Sequence, residues 1–142
     1  MPENLLEARQ RACELARQRI QMQPLFLDTE TTGVRSSAEV IEICLLDHTG
    51  EVLLNSLVRP RLPIPAESTQ VHGINHAMVA NAPTWPDLWP QVQALIENRP
   101  IGIYNAEFDL RLLKQTQQQA GLHWPPIPFD PFCIMRLYAQ FY

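Results

Sequence analysis

The stretch at residues 24–33, Pro-Leu-Phe-Leu-Asp-Thr-Glu-Thr-Thr-Gly, constrains this chain more than any other. An apolar run ends in two acids separated by a single residue, and polar residues and a glycine follow. In a strand, successive side chains alternate faces, so Phe26, Asp28 and Glu30 point the same way. Two neighbouring carboxylates with nothing basic between them repel each other. A divalent cation removes that cost, because hard ions such as Mg²⁺ take carboxylate oxygens. Gly33 then lets the backbone turn and a ligand approach closely. On spacing alone, a strand running into a solvated polar turn explains the same residues equally well, so the rest of the chain has to decide.

At 142 residues, 46% hydrophobic and 18% charged, the chain suits one globular domain with a proper core. No apolar run approaches the roughly 18 residues of a membrane span, so no membrane association is expected. The amino terminus lacks the basic start and apolar run of a signal peptide. Cys13, Cys44 and Cys133 are odd in number and lack metal-ligand spacing. They read as small buried hydrophobes in a reducing compartment, which places the protein in the cytoplasm. A net charge of −4 argues against a protein that coats long stretches of duplex. It leaves room for an enzyme that grips one strand end through metal ions.

Residues 3–21 read as an amphipathic helix, with Leu5, Ala8, Ala12, Leu15, Ala16 and Ile20 near the 3.6 period. Arg9, Arg11, Arg17 and Arg19, interleaved with Glu3, Glu7 and Glu14, suit a solvated face of helical ion pairs. This helix (residues 1–23) precedes the domain of residues 24–142. Strands at 24–30, 38–47 and 52–58 form an antiparallel meander, the last two joined by a turn at 48–51. Glu42 reads as an exposed or edge acid. The prolines of 59–65 impose a stiff extended crossing. Helices follow at 68–80 and 83–98, the second capped by Thr84 with Pro86 in its first turn. Its stripe of Trp85, Leu88, Trp89, Val92, Leu95 and Ile96 reads as core. His72 and His76 stand four apart, but no third ligand accompanies them, so no zinc site is expected.

A strand at 101–104 leads into a helix at 106–120, stopped by Gly121 and capped by Asn105. Glu107 and Asp109 both suit the positive end of the helix dipole. That accounts fully for Glu107. Asp109 shares the inward face of Leu112 and Leu113 and needs a partner. Residues 123–131 form a second proline-rich crossing with a short strand near 127–129, at whose end Asp130 is structural. Residues 132–142 read as a last helix.

Three segments now line up: Phe26-x-Asp28-x-Glu30-Thr31-Thr32-Gly33, Val71-His72-Gly73-Ile74, and Tyr104-Asn105-Ala106-Glu107-Phe108-Asp109. In order and spacing they resemble the motifs of the DEDD 3′–5′ exonucleases, above all the branch of the proofreading (epsilon, DnaQ-like) subunits of bacterial polymerases. The resemblance covers residues 24–142. It implies an RNase H-like α/β fold: a mixed five-stranded sheet flanked by helices, its first three strands antiparallel and the later ones parallel to the first. To this the chain adds its amino-terminal amphipathic helix.

The implied reaction is hydrolysis of a phosphodiester at a 3′ end by two Mg²⁺ or Mn²⁺ ions. By resemblance, Asp28 would bridge both ions, Glu30 would hold the ion carrying the attacking water, and Asp109 would reach the second ion. Thr31, Thr32 and Gly33 would present backbone groups to the terminal nucleotide, with His72, Asn105 and Phe108 around it. The expected partner is a nucleic-acid 3′ end, DNA ahead of RNA. A polymerase partner suits the family, although no segment here marks one.

The family's last motif, a His followed five residues later by an Asp, is absent: His48, His72, His76 and His123 are the only histidines, and none fits. The expectation is therefore a carboxy terminus cut short, impaired activity, and a sheet face left open for a second copy or the first helix to cover. The competing expectation is a catalytically inactive exonuclease fold kept as a nucleic-acid- or protein-binding module.

Overall fold

The computed structural model describes residues 4–124 and 130–142. Its elements run α1 (Leu5–Gln21), β1 (Leu25–Thr31), β2 (Val40–Leu46), β3 (Val52–Leu57), α2 (Ala66–His72), α3 (His76–Val79), α4 (Trp85–Ile96), β4 (Pro100–Ile103), α5 (Ala106–Gln119), β5 (Asp130–Cys133) and α6 (Ile134–Phe141). The strands form one mixed sheet in the order β3-β2-β1-β4-β5. β1–β2 and β2–β3 are antiparallel, whereas β4 is parallel to β1 and β5 to β4. This is the mixed five-stranded RNase H-like arrangement expected from the sequence.

β1 is central because its apolar half can be buried on one face. Leu25 and Leu27 join Val40, Ile43, Leu45, Ile101 and Ile103 in the main core, beneath Trp85, Trp89, Val92, Leu112 and Leu113. The α4 stripe is core, as expected, with Trp85 and Trp89 packed at 5.9 Å between ring centroids. Asp87 closes a capping box on α4 by accepting from the Thr84 N–H (3.2 Å) and hydroxyl (2.8 Å). On the other sheet face, Phe26 and Phe132 close over Gly102. A Cβ there would stand 2.8 Å from the Phe132 ring and 2.9 Å from that of Phe26.

β2 carries one extra residue. Glu30 pairs with Glu42 and Thr31 with Val40, leaving Ile41 as a bulge. Val40 enters the main core, while Ile41 enters a second cluster with Ile64, Ile74 and Val79.

Several expectations need correction. The helix expected at 68–80 is two helices, because Gly73 (φ 77°) ends α2 and Asn75 starts α3 by accepting from the Met78 N–H. Glu42 is half-buried on an interior strand rather than exposed or at an edge. The last helix begins at Ile134, since Phe132 and Cys133 belong to β5. The short strand expected at 127–129 lies outside the described residues; Asp130 opens β5 and pairs with Arg19 at 3.3 Å. The three cysteines are free but half-buried rather than fully buried.

α1 is not an independent solvated helix. It packs against α6 through Ala12, Cys13 and Ala16, facing Ile134, Leu137 and Phe141 across an apolar cleft of about 250 Å³. Arg9 lies over the Phe141 ring and donates to the Phe141 carbonyl, and Arg19 lies over Phe132. These two arginines therefore serve tertiary contacts instead of ion pairs along their own helix. No helix among the described residues is long and apolar enough to cross a membrane.

Candidate active site

β1 presents its side chains as the alternation requires. Phe26, Asp28 and Glu30 share the less buried face, with Asp28 exposed and Glu30 half-buried, while Leu27, Thr29 and Thr31 point into the core side. The β1–β2 register sets Glu30 opposite Glu42. Glu30 is held above the usual carboxylate range by burial first and by the charge of Asp28 next; His72 opposes the rise and Glu42 adds to it.

The third acid arrives from α5. Its first turn brings Asp109 inward beside Leu112 and Leu113, where only 5% of the residue is exposed. The partner that the sequence demanded is Thr29, whose hydroxyl donates to Asp109 Oδ1 at 2.8 Å. Burial pushes the Asp109 carboxyl up to about 6; the Thr29 hydrogen bond opposes this, and the charges of Asp28 and Glu30 push the same way as burial. So the three expected acids share one electrostatic neighbourhood in which negative charge dominates.

A cleft of about 360 Å³ opens beside Glu30, lined among others by Thr31, Gly33, Val34, His72 and Phe108. Four of the six expected nucleotide-binding residues thus meet there. Thr32 lines an adjoining cleft with Gly33 and Val34. Asn105 caps α5 in position only: it takes a left-handed conformation (φ 59°) and its side chain makes no cap hydrogen bond.

The backbone of this loop is already well engaged. The Ile74 N–H donates to His72 Nδ1 at 3.0 Å, which makes Nε2 the protonated nitrogen, and Nε2–H donates to the Thr31 carbonyl at 3.1 Å. Ser68 donates its hydroxyl to the Thr32 carbonyl at 2.7 Å, and the Thr32 N–H donates to the Glu39 carbonyl. Of the groups expected to meet a nucleotide, the Gly33 N–H is the least committed, at 3.4 Å from Thr31 Oγ1. His76 accepts from the Ile64 N–H. With these bonds made, His72 and His76 form no zinc pair.

Sequence reasoning missed three supports. Thr29, between the two strand acids, carries no local mark of its bond to Asp109. Ser68 read only as the start of a helix. Glu39 is 4% exposed and accepts from the backbone N–H groups of Arg61 and Leu62, which ties the proline crossing to the loop. Only a charged residue next to an apolar strand could have flagged Glu39.

The donor chemistry fits a hard divalent ion: oxygens only, two from one strand face and a third from the helix beside it. The acids are not drawn into a finished cage, since among the described residues no group of three or more His, Cys, Asp or Glu side chains is close enough to hold an ion.

Comparison with known proteins agrees with this architecture. Residues 25–141 match the RNase_T family, described as exonuclease. The chain is 45% identical over 121 residues to the uncharacterized exonuclease CP81 of Escherichia phage 186, covering 82% of this chain and 62% of that protein. It is 37% identical over 105 residues to a DNA polymerase III subunit epsilon-like protein of Rhodobacter capsulatus, covering 68% of this chain but 15% of that protein. Among solved structures, exonuclease X in complex with 5′ overhanging duplex DNA superposes with a TM-score of 0.63 at 29% identity, over 83% of this chain and 63% of that one. The chain thus spans less than two thirds of the length of these relatives. With the family match running through every strand of the sheet and all three acids, the chain belongs to the RNase_T exonuclease family.

Proposed function

We propose that this chain hydrolyses phosphodiesters at the 3′ end of a nucleic acid, DNA ahead of RNA, with Asp28, Glu30 and Asp109 as the ligands of divalent metal. The observation that carries this reading is Asp109, a buried acid that α5 sets beside two acids of β1. A cluster of that kind is unfavourable unless a cation is its working partner.

Bound Mg²⁺ or Mn²⁺ would supply positive charge at the scissile phosphate and a more acidic water. The chain's own residues do the rest. Asp28 and Glu30 offer oxygens on the open strand face, and Asp109 offers its solvent-facing oxygen. The cleft of Thr31, Gly33, His72 and Phe108 seats the terminal nucleotide, with Thr32 and Asn105 at its margins. His72 has both ring nitrogens in use and serves as a brace for the loop rather than as a base.

No histidine of these 142 residues is followed five positions later by an aspartate, so no general base is assigned among them. General-base help is typically worth about 10²–10⁴ in rate. We place α1, outside the family match, as an appendage docked on α6. A second copy of the chain covering the open face of the sheet is part of the proposal, and sedimentation as a clean monomer would refute it. Three free cysteines accord with a cytoplasmic setting.

The test is release of label from a 3′-labelled single-stranded oligonucleotide with Mn²⁺, using Asp28→Ala as control. Mn²⁺-dependent release that disappears in the variant supports the reading. Oligonucleotide binding without release, equal in both proteins, overturns it in favour of a binding module.

A further inference from the structure

We propose that Thr29 is a positioning residue of the metal site: its hydroxyl fixes where the Asp109 carboxylate stands relative to Asp28 and Glu30. The inference rests on the exonuclease reading above and assigns a role to a residue which that reading leaves unused.

Thr29 lies between the two strand acids in sequence and on the opposite face of β1, the face against which α5 packs. It is 8% exposed. As a β-branched residue in a strand it has little freedom at χ1, so its hydroxyl is aimed by the backbone that also aims Asp28 and Glu30. That hydroxyl meets Asp109 Oδ1 at 2.8 Å. One hydrogen bond therefore joins the two elements that bring the three acids together.

The carboxylate it holds would otherwise be loose. The last torsion of an aspartate is broad and roughly two-fold, and helix geometry does not set it. No buried side-chain oxygen among the described residues lacks a partner, and Thr29 is the one hydrogen-bond donor to the Asp109 side chain. Oδ2 must therefore be the oxygen that reaches solvent. Thr29 divides the carboxylate into one tethered oxygen and one free to meet an ion. Polar groups that orient metal ligands from behind typically contribute about 10–100-fold in metal affinity or activity.

The experiment is Mn²⁺ titration of the full chain by electron paramagnetic resonance. Wild type is compared with Thr29→Val, which keeps the shape and loses the hydroxyl, and with Thr29→Ser, which keeps the hydroxyl. Thr29→Val is expected to weaken Mn²⁺ binding about 10-fold while Thr29→Ser stays within about twofold of wild type. In an Asp109→Asn background, Thr29→Val should add almost nothing. Steady-state cleavage should show the loss in kcat and little change in KM for the oligonucleotide.

If Thr29 merely fills the core, Thr29→Val lowers the melting temperature yet binds Mn²⁺ as wild type does below it, and the proposal fails. Should Thr29→Val not fold, Thr29→Ser decides: Mn²⁺ binding as weak as that of Asp109→Asn overturns the hydroxyl's role, and wild-type binding sustains it. Wild-type protein with no Mn²⁺ binding sensitive to Asp28→Ala overturns the exonuclease reading and this proposal together, an outcome distinct from a Thr29 failure alone.

Discussion

Replacing Asp109 with Asn should stabilise the metal-free protein at neutral pH while removing one of the metal ligands proposed above. Burial, with the charges of Asp28 and Glu30, holds this carboxyl at about 6 instead of 3.8. Each tenfold change in proton affinity corresponds to about 1.4 kcal/mol. Ionising the group in the folded state thus costs about 3 kcal/mol at most. Water reaching Oδ2 screens part of this, leaving about 1–2 kcal/mol.

The sign follows from linkage. The folded protein holds its proton more tightly than the unfolded chain, so the penalty is absent below the unfolded value, grows as pH rises, and is complete above the folded value. Asparagine does not ionise, and its Oδ1 still accepts from Thr29. Urea unfolding in EDTA at pH 4.5 and pH 8 measures the difference. Asp109→Asn should gain about 1 kcal/mol on wild type between these two values, several degrees or less in melting temperature. A variant less stable than wild type at pH 8, or a gain equal at both pH values, would refute the electrostatic account of the site.

Two further outcomes follow from the geometry. Gly102→Ala would place a methyl group 2.8–2.9 Å from two phenyl rings, costing about 1–3 kcal/mol as overpacking; an unchanged melting temperature would show that Phe26 and Phe132 yield freely. Cys133 should be alkylated by iodoacetamide before Cys44, as read by mass spectrometry at pH 7.5. Burial opposes ionisation of Cys133, but the N–H groups of Arg136, Ala106, Met135 and Asn105 outweigh it and lower its pKa, whereas burial and the charges of Asp28 and Glu42 raise that of Cys44. Faster labelling of Cys44 would contradict this.

What the sequence revealed was what local periodicity controls. The alternation along 25–31 placed Asp28 and Glu30 on one face, and the three- and four-residue steps from Asp109 to Leu112 and Leu113 placed that acid inward. Its partner was invisible because Thr29 is 80 positions away, and nothing local distinguishes a threonine that bonds across the core from one that merely suits a strand. Glu39 and Ser68 were hidden for the same reason: Ser68 bonds the Thr32 carbonyl 36 positions away, and the Glu39 carboxylate accepts from Arg61 and Leu62, 22 and 23 positions on. The break at Gly73 differs, since a glycine followed two residues later by an asparagine is a local stop and restart signal, and the helical spacing around it overrode that signal. The half-exposed cysteines show the opposite limit, where burial is decided by which elements happen to pack nearby.

The extra residue in β2 makes that strand a hinge pin between two layers. Ile41 leaves the pairing with β1 and becomes the peg on which the α2–α3 layer, and with it the His72 brace, hangs from the sheet. The main core and this smaller cluster are therefore separate apolar groups that adjoin at neighbouring residues of β2. Fluctuations of the smaller one would move the cleft of Thr31, His72 and Phe108 while leaving Asp28, Glu30 and Asp109 in register, so on the proposed reading the seat for a strand end can breathe without dismantling the acids beside it.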